Sequence, residues 1–185
     1  MSDVYSYSIT QKALHWIVAL LFVAMIPAGF IFTDFDNRDA IEATFGAGSF
    51  DRFYNMHKSV GFLVLGLMLL RIIVKVVMPK PPYAQPLAPA QRMASGIVHG
   101  LIYVLLIVVP VLGWAGVSAF PAPLPVFGFF DMPNLVGPDR ELSRTLLDGH
   151  GLAVRLLIAL AVVHIAAALY HGIVKRDGVL SRMVR

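Results

Sequence analysis

Cysteine is absent from this chain of 185 residues, and charged residues make up only 14% of it. The lack of thiols excludes disulfide bonds, iron–sulfur clusters, thiolate zinc sites and a catalytic thiol. With 58% hydrophobic residues, the chain is also unlike a soluble domain, in which about a quarter of the residues are charged. Its net charge of +4 does not indicate a nucleic-acid partner, because the basic residues do not gather on one face. The composition therefore predicts an integral membrane protein.

Four long apolar runs lie at about residues 13–32, 56–78, 95–117 and 150–174. Each is close to the roughly 20 residues that a helix needs to cross the hydrocarbon of a bilayer. The first run is expected to be retained, since it is longer than a signal-peptide core and contains His15 and Trp16. A further apolar stretch, Pro121 to Pro138, holds five prolines and is expected to form an interfacial loop. The prediction is a single domain, residues 1–185, folded as an all-α membrane protein with a four-transmembrane-helix bundle.

The orientation follows from the basic residues, which stay preferentially on the cytoplasmic side. The connection between the second and third runs carries basic residues and no acid, and the C-terminal tail is also strongly basic. The other two connections hold more acidic than basic residues. The basic residues are Arg71, Lys75, Lys80 and Arg92 in the connection and Lys175, Arg176, Arg182 and Arg185 in the tail. We therefore expect a multi-pass protein with both termini in the cytoplasm.

All six histidines lie in or at the predicted spans, where ionisable side chains usually mark function. His57 and His150 fall near the outer surface, and His15 and His164 near the inner one. His164 follows His150 by fourteen residues, about 21 Å along a helix and on nearly the same face. Two depth-matched pairs predict two haems with bis-histidine iron, His57 with His150 and His15 with His164. A zinc site or a proton relay built from the same histidines is the alternative.

Residues near these histidines fit a haem as well. Small side chains one turn away would make room for a flat macrocycle; they are Ala19, Gly61, Ala161 and Ala168. Arg71 at the inner level, and Arg155 and Lys58 at the outer level, are candidate partners of the haem propionates. Arg71 equally fits a side chain that extends to the cytoplasmic interface. His99, on the inner half of the third run, has no predicted partner, so a packing role comes first and a quinone site second.

Several motifs together resemble one family. They are His15-Trp16, Met56-His57-Lys58-Ser59-Val60-Gly61, Val98-His99-Gly100-Leu101-Ile102-Tyr103 with Pro110, the pair His150 and His164, and Asp177-Gly178-Val179-Leu180. With these motifs, nearly the whole chain resembles the bacterial dihaem cytochrome b561 family of the cytoplasmic (inner) membrane. The resemblance implies electron transfer between a quinone and a redox partner through two b haems.

Stand-alone members of that family are similar to superoxide oxidase, which oxidises superoxide at the outer face and reduces ubiquinone. That activity is the first expectation here, with the quinone pool as acceptor and superoxide or a periplasmic redox protein as donor. His171, seven residues beyond His164, is expected to be the catalytic proton donor to the quinone. A membrane-anchor subunit of a hydrogenase or formate dehydrogenase complex is the alternative, and a non-haem metal or proton transporter is the second alternative. The acidic outer loops do not themselves attract an anion such as superoxide.

Overall fold

Four long helices in the computed structural model correspond to the four apolar runs. They are α1 (Ile9–Ile31), α3 (Ser49–Val77), α4 (Pro89–Ala119) and α5 (Arg140–Leu169), and a π-helical segment (Tyr170–Lys175) continues α5. All four are long and apolar enough to cross a membrane. The expected all-α fold with four spanning helices is confirmed, and the chain is a multi-pass membrane protein.

The structure describes residues 4–184. Arg185, one of the basic residues counted in the tail, lies outside the described residues, as do residues 1–3 of the expected single domain. Each predicted run falls within a longer helix to within one residue, the fourth run within α5 and its π-helical continuation. The helices are longer than the runs because polar residues extend them beyond the apolar part. In α5, for example, the side chain of Asp139 accepts hydrogen bonds from the backbone N–H groups of Glu141 and Leu142 and so caps the helix eleven residues before His150.

Short elements occur in the connections, and the sequence analysis predicted none of them. A 3₁₀ turn (Phe35–Asn37) and helix α2 (Arg38–Phe45) follow α1, and helix α6 (Ser181–Val184) lies in the C-terminal tail. Residues 121–138 form a loop as expected, except for the antiparallel hairpin of β1 (Pro125–Val126) and β2 (Phe130–Asp131).

The bundle packs through α1 against α3, α3 against α4, and α4 against α5. Its core is a cluster of buried apolar side chains, namely Val18, Val64, Met68, Leu106 and Leu157. Leu157 lies seven residues from both His150 and His164, so this core occupies the middle of the bundle and separates the two histidine levels. Most other apolar side chains on the spans are exposed, as expected for helices surrounded by lipid.

The bundle has two distinct ends. The end with the 32–48 and 120–139 connections is called the hairpin end, and the end with both chain termini and the 78–88 connection is called the terminal end. At the terminal end the C-terminal tail folds back over the helices. Arg182 is only 5% exposed, and its guanidinium donates hydrogen bonds to the carbonyls of Tyr5 and Pro81. Trp16 Nε1 donates to the carbonyl of Met183 at 2.9 Å, so the tail is held against α1 as well.

Candidate functional site

His57 on α3 and His150 on α5 face each other near the hairpin end. Their ring centroids lie 6.3 Å apart, with the planes inclined by 74°. Both rings line a largely apolar cavity of about 340 Å³. His150 Nδ1 lies 2.8 Å from the carbonyl oxygen of Val109, which can only accept, so Nδ1 carries the proton. This hydrogen bond orients the ring and leaves Nε2 as the nitrogen that can bind a metal.

The hydrogen bonding of His57 differs from that of His150. Its Nδ1 is buried and has no hydrogen-bond partner among residues 4–184. An unpaired buried polar atom costs free energy, and it is rare unless the atom serves a ligand. The orphaned nitrogen belongs to a ring that lines the cavity, which is the arrangement expected for a cofactor ligand.

Two glycines that the sequence analysis missed let neighbouring helices approach these rings. A Cβ at Gly29 of α1 would lie 3.3 Å from His57 Cε1, and a Cβ at Gly113 of α4 would lie 3.1 Å from His150 Nδ1. Both distances are tighter than ordinary van der Waals contact, so a side chain at either position would push on an imidazole. Gly61, which was predicted to make room, also lines the cavity and faces open space.

His15 on α1 and His164 on α5 form a second pair, toward the terminal end. Their ring centroids lie 6.2 Å apart, with an interplanar angle of 69°. Arg71 of α3 reaches this level, as its fourteen-residue spacing from His57 predicts. Its Nη2 lies 2.7 Å from His15 Nδ1, and its Nε donates to the hydroxyl of Tyr103 at 2.9 Å.

His99 of α4 belongs to the same level. Its ring centroid lies 5.0 Å from that of His164, and its Nδ1 lies 3.1 Å from Ser95 Oγ. The sequence analysis assigned His99 no unpaired partner; in the structure His99 meets His164, which is itself paired with His15. Its depth could be predicted from the sequence, but its neighbour depends on the rotation of α4 against α5, for which the sequence carries no signal.

The separations of the pairs test whether they fit an iron with two axial imidazoles. A metal–nitrogen distance of about 2.0 Å plus about 1.1 Å from the nitrogen to the ring centroid gives about 6.2 Å between two coaxial rings. The pairs His57–His150 and His15–His164 match this value, whereas His99 and His164 are too close. Across residues 4–184, no three histidine or carboxylate groups come together to hold one metal ion. The two predicted pairs thus have the separation expected of two imidazoles on one iron.

The predicted cationic partners at the hairpin end differ in their surroundings. Lys58 lines the same cavity as His57, and its Nζ donates to the carbonyl of Pro123 at 2.7 Å. Arg155 is exposed on α5, with its guanidinium over Gly151, where a Cβ would lie 3.6 Å from Nη1. Lys58 is therefore the cation beside the cavity, and Arg155 lies on the surface of the bundle one turn from Gly151.

His171 lies in the π-helical segment at the terminal end. Its Nδ1 is 2.5 Å from Oδ2 of Asp177, and the side chains are 14% and 8% exposed. The other carboxylate oxygen of Asp177 accepts the backbone N–H of Val179 at 3.2 Å. Burial alone would raise the pKa of Asp177, but the hydrogen bonds from His171 and Val179 outweigh it and hold this pKa below its ordinary value. The sequence analysis quoted Asp177 as part of a motif but gave it no role.

Comparison with known proteins places this arrangement in a family. A sequence model described as prokaryotic cytochrome b561 matches residues 6–185. Cytochrome b561 homolog 2 of Escherichia coli is 26% identical over 96% of this chain and 90% of that protein. The probable superoxide oxidase CybB of Yersinia pestis is 28% identical over 96% and 95%. Cytochrome b562 of Cereibacter sphaeroides is 30% identical over 97% and 95%. With two depth-separated histidine pairs in a four-helix bundle and a family match over almost its whole length, the chain belongs to the prokaryotic cytochrome b561 family.

Proposed function

We propose that the protein is a dihaem cytochrome that carries electrons from a donor at the hairpin end to ubiquinone at the terminal end. Membership of the family implies b-type haem and membrane electron transfer. The number of haems and their ligands are inferred from one observation. Two imidazole pairs on facing helices have centroid separations of 6.3 and 6.2 Å, each suited to one iron.

Each helix has a defined role in this proposal. Helix α5 supplies one ligand to each level, His150 and His164, while α3 supplies His57 and α1 supplies His15. Helix α4 orients His150 through the carbonyl of Val109 and approaches it closely at Gly113. Bound haem supplies one-electron transfer, and the protein supplies orientation, burial and nearby charge.

At each histidine level, basic side chains are assigned to the haem propionates. Lys58 lies beside the cavity at the hairpin end, and we assign it to a propionate there, with Arg155 as the second cation of that level. Arg71 serves the other level, since its guanidinium already reaches His15. Guanidinium groups bind carboxylates with paired hydrogen bonds, which favours Arg71 as the propionate partner over extension to the interface.

The reaction that we propose is the oxidation of superoxide coupled to the reduction of ubiquinone. Two superoxide anions each lose one electron and become dioxygen, and one ubiquinone gains these two electrons and two protons to become ubiquinol. The relative from Yersinia pestis, a probable superoxide oxidase, favours this donor. His171, at the terminal end, donates a proton to a quinone oxygen, and its side chain is mostly buried beside the basic tail.

We further propose that the protein lies in the bacterial cytoplasmic membrane with the terminal end in the cytoplasm. Basic residues prevail in and beside the 78–88 connection, with Lys75, Lys80 and Arg92, and in the tail, whereas Asp and Glu prevail in the connections of the hairpin end. This orientation directs superoxide oxidation to the outer face and proton uptake to the cytoplasmic face.

Two measurements on the purified protein test the proposal. A pyridine haemochrome assay should give two b haems per chain, and one or none would refute the paired ligation. Superoxide generated enzymatically should then reduce a short-chain ubiquinone in proportion to the protein present. A protein with two haems that reduces no quinone with superoxide, but co-purifies with a dehydrogenase or hydrogenase, would instead be a membrane-anchor subunit.

A further inference from the structure

The hydrogen bond between His171 and Asp177 links the last span to the tail. The chain reverses direction around Asp177, with Arg176 at φ 51° and Gly178 at φ 83°, both in the left-handed region. A Cβ at Gly172 would lie 2.5 Å from a methyl carbon of Leu180, so the returning tail packs tightly on the π-helical segment. The carboxylate is therefore brought to the imidazole by the fold of the tail.

We infer that Asp177 is a positioning residue for His171, and this inference rests on the proposed function of His171 as proton donor to ubiquinone. The carboxylate keeps the proton on Nδ1 and holds the ring in one orientation. It thereby leaves Nε2 as the nitrogen that gives a proton to the quinone.

The chemistry of the two groups supports this assignment. An ionised carboxylate is only an acceptor, so at 2.5 Å the proton between the two groups belongs to Nδ1 of His171. The proposed proton donor is His171 with both ring nitrogens protonated. The Nε2–H bond then breaks, an O–H bond forms on the reduced quinone, and His171 is left neutral with Nδ1–H still bound to Asp177. A proton from cytoplasmic water restores the imidazolium.

Hydrogen bonds within the tail, and from the tail to the rest of the chain, hold Asp177 in place. Its second oxygen is held by the N–H of Val179, and Ser181 Oγ donates to the carbonyl of Gly178 at 2.7 Å. Further along, the buried Arg182 is bound to carbonyls of the N-terminal segment and of the 78–88 connection. A carboxylate fixed on both oxygens fixes the imidazole in turn, which lowers the cost of ordering the ring at each turnover.

The test uses protein reduced in the absence of oxygen and then mixed with a short-chain ubiquinone, so that no superoxide step is involved. Asp177→Asn should keep both haems and their spectra but slow reoxidation by about tenfold or more, with little change in the apparent KM for quinone. Asp177→Glu, which restores the charge, should recover part of the rate. Asp39→Asn, an exposed acid on α2 at the hairpin end, is the matched control and should behave as wild type.

A double variant separates positioning from a general structural effect. If Asp177 acts through His171, adding Asp177→Asn to His171→Ala should slow the reaction no further. In ¹⁵N spectra of histidine-labelled protein, the His171 resonances should move in Asp177→Asn while those of the other histidines stay in place. Additive rates or unmoved His171 resonances would overturn the inference.

A failure of the proposed function would give a different result from a failure of the inference about Asp177. If His171→Ala itself left the reoxidation rate unchanged, His171 would not be the proton donor, and the positioning role would fall with it. If His171→Ala were slow and Asp177→Asn were as fast as wild type, only the inference about Asp177 would be refuted.

Discussion

Arg71 donates a hydrogen bond to Nδ1 of His15 across the interface of α3 and α1, at 2.7 Å. A guanidinium has only donors, so Nδ1 is the acceptor and carries no proton. A neutral imidazole that binds iron through Nε2 carries its proton on Nδ1 instead. The contact with Arg71 and ligation through Nε2 therefore exclude each other, and we expect Arg71 to release His15 and bind a propionate when haem is present.

Replacing Arg71 should consequently change the midpoint potential of one haem only. Arg71→Gln removes a positive charge near the haem of the terminal end. Loss of this charge stabilises the oxidised state of that haem. We expect its midpoint potential to fall by about 60 mV, which is equivalent to about 1.4 kcal/mol for one electron, while the other potential stays constant. Redox titration of the α-bands measures both values. Lys75→Gln, the control one turn further along α3, should leave the potentials nearly unchanged, and a drop of equal size there would show a general charge effect.

The histidine pairing predicts which variants lose the same haem. His57→Ala and His150→Ala should each remove the haem of the hairpin end, whereas His15→Ala and His164→Ala should each remove the other, because one lost axial ligand weakens the whole site. Haem content per chain and reduced-minus-oxidised spectra identify the missing component. Identical spectra of the His57 and His164 variants would contradict the pairing.

His99 provides a control within the level of His15 and His164. Its ring lies only 5.0 Å from that of His164, which is too close for an iron between them. We expect His99→Ala to retain two haems per chain in the haemochrome assay. Loss of a haem in this variant, with His15→Ala retaining it, would make His99 the ligand in place of His15.

The variant Gly113→Ala tests whether the haem of the hairpin end requires the close approach of α4 to His150. The added methyl group of Gly113→Ala would lie 3.1 Å from Nδ1, on the nitrogen that donates to Val109. We expect the ring to shift by a few tenths of an ångström and the haem of the hairpin end to be partly lost or spectrally altered. Gly100→Ala, where the methyl group meets nothing within 4 Å, is the matched control on the same helix. Equal haem content and spectra in both variants would argue against the close approach.

The lowered pKa of Asp177 predicts how its contribution to stability depends on pH. Because the folded pKa lies below the ordinary value of 3.8, the carboxylate contributes fully above about pH 4, and the contribution is lost as the pH falls through the folded pKa. For a buried charged hydrogen bond this contribution is about 1.5–3 kcal/mol. The difference in Tm between wild type and Asp177→Asn, followed by circular dichroism, should shrink as the pH falls below about 4. A difference that grows toward acid would contradict the assigned sign.

Much of this protein follows from its sequence, because the bilayer leaves few choices. A span needs about 20 apolar residues, so four runs predict four helices. The rise of a helix converts fourteen residues into about 21 Å, so the spacings of His150 to His164 and of His57 to Arg71 predict two levels on α5 and α3. The charges of the connections likewise predict an orientation before any contact is known.

The tertiary structure decided what lies beside each residue. Depth along a helix follows from residue number, but the neighbour across an interface depends on how each helix is rotated, and packing sets that rotation. For this reason the contact of His99 with His164, the hydrogen bond of Arg71 to His15 and the approach of Gly113 to His150 could not be predicted. The pairing of His171 with Asp177 additionally required the chain to reverse at Arg176 and Gly178, since six residues of continuous helix would have carried the carboxylate about 9 Å further along the axis.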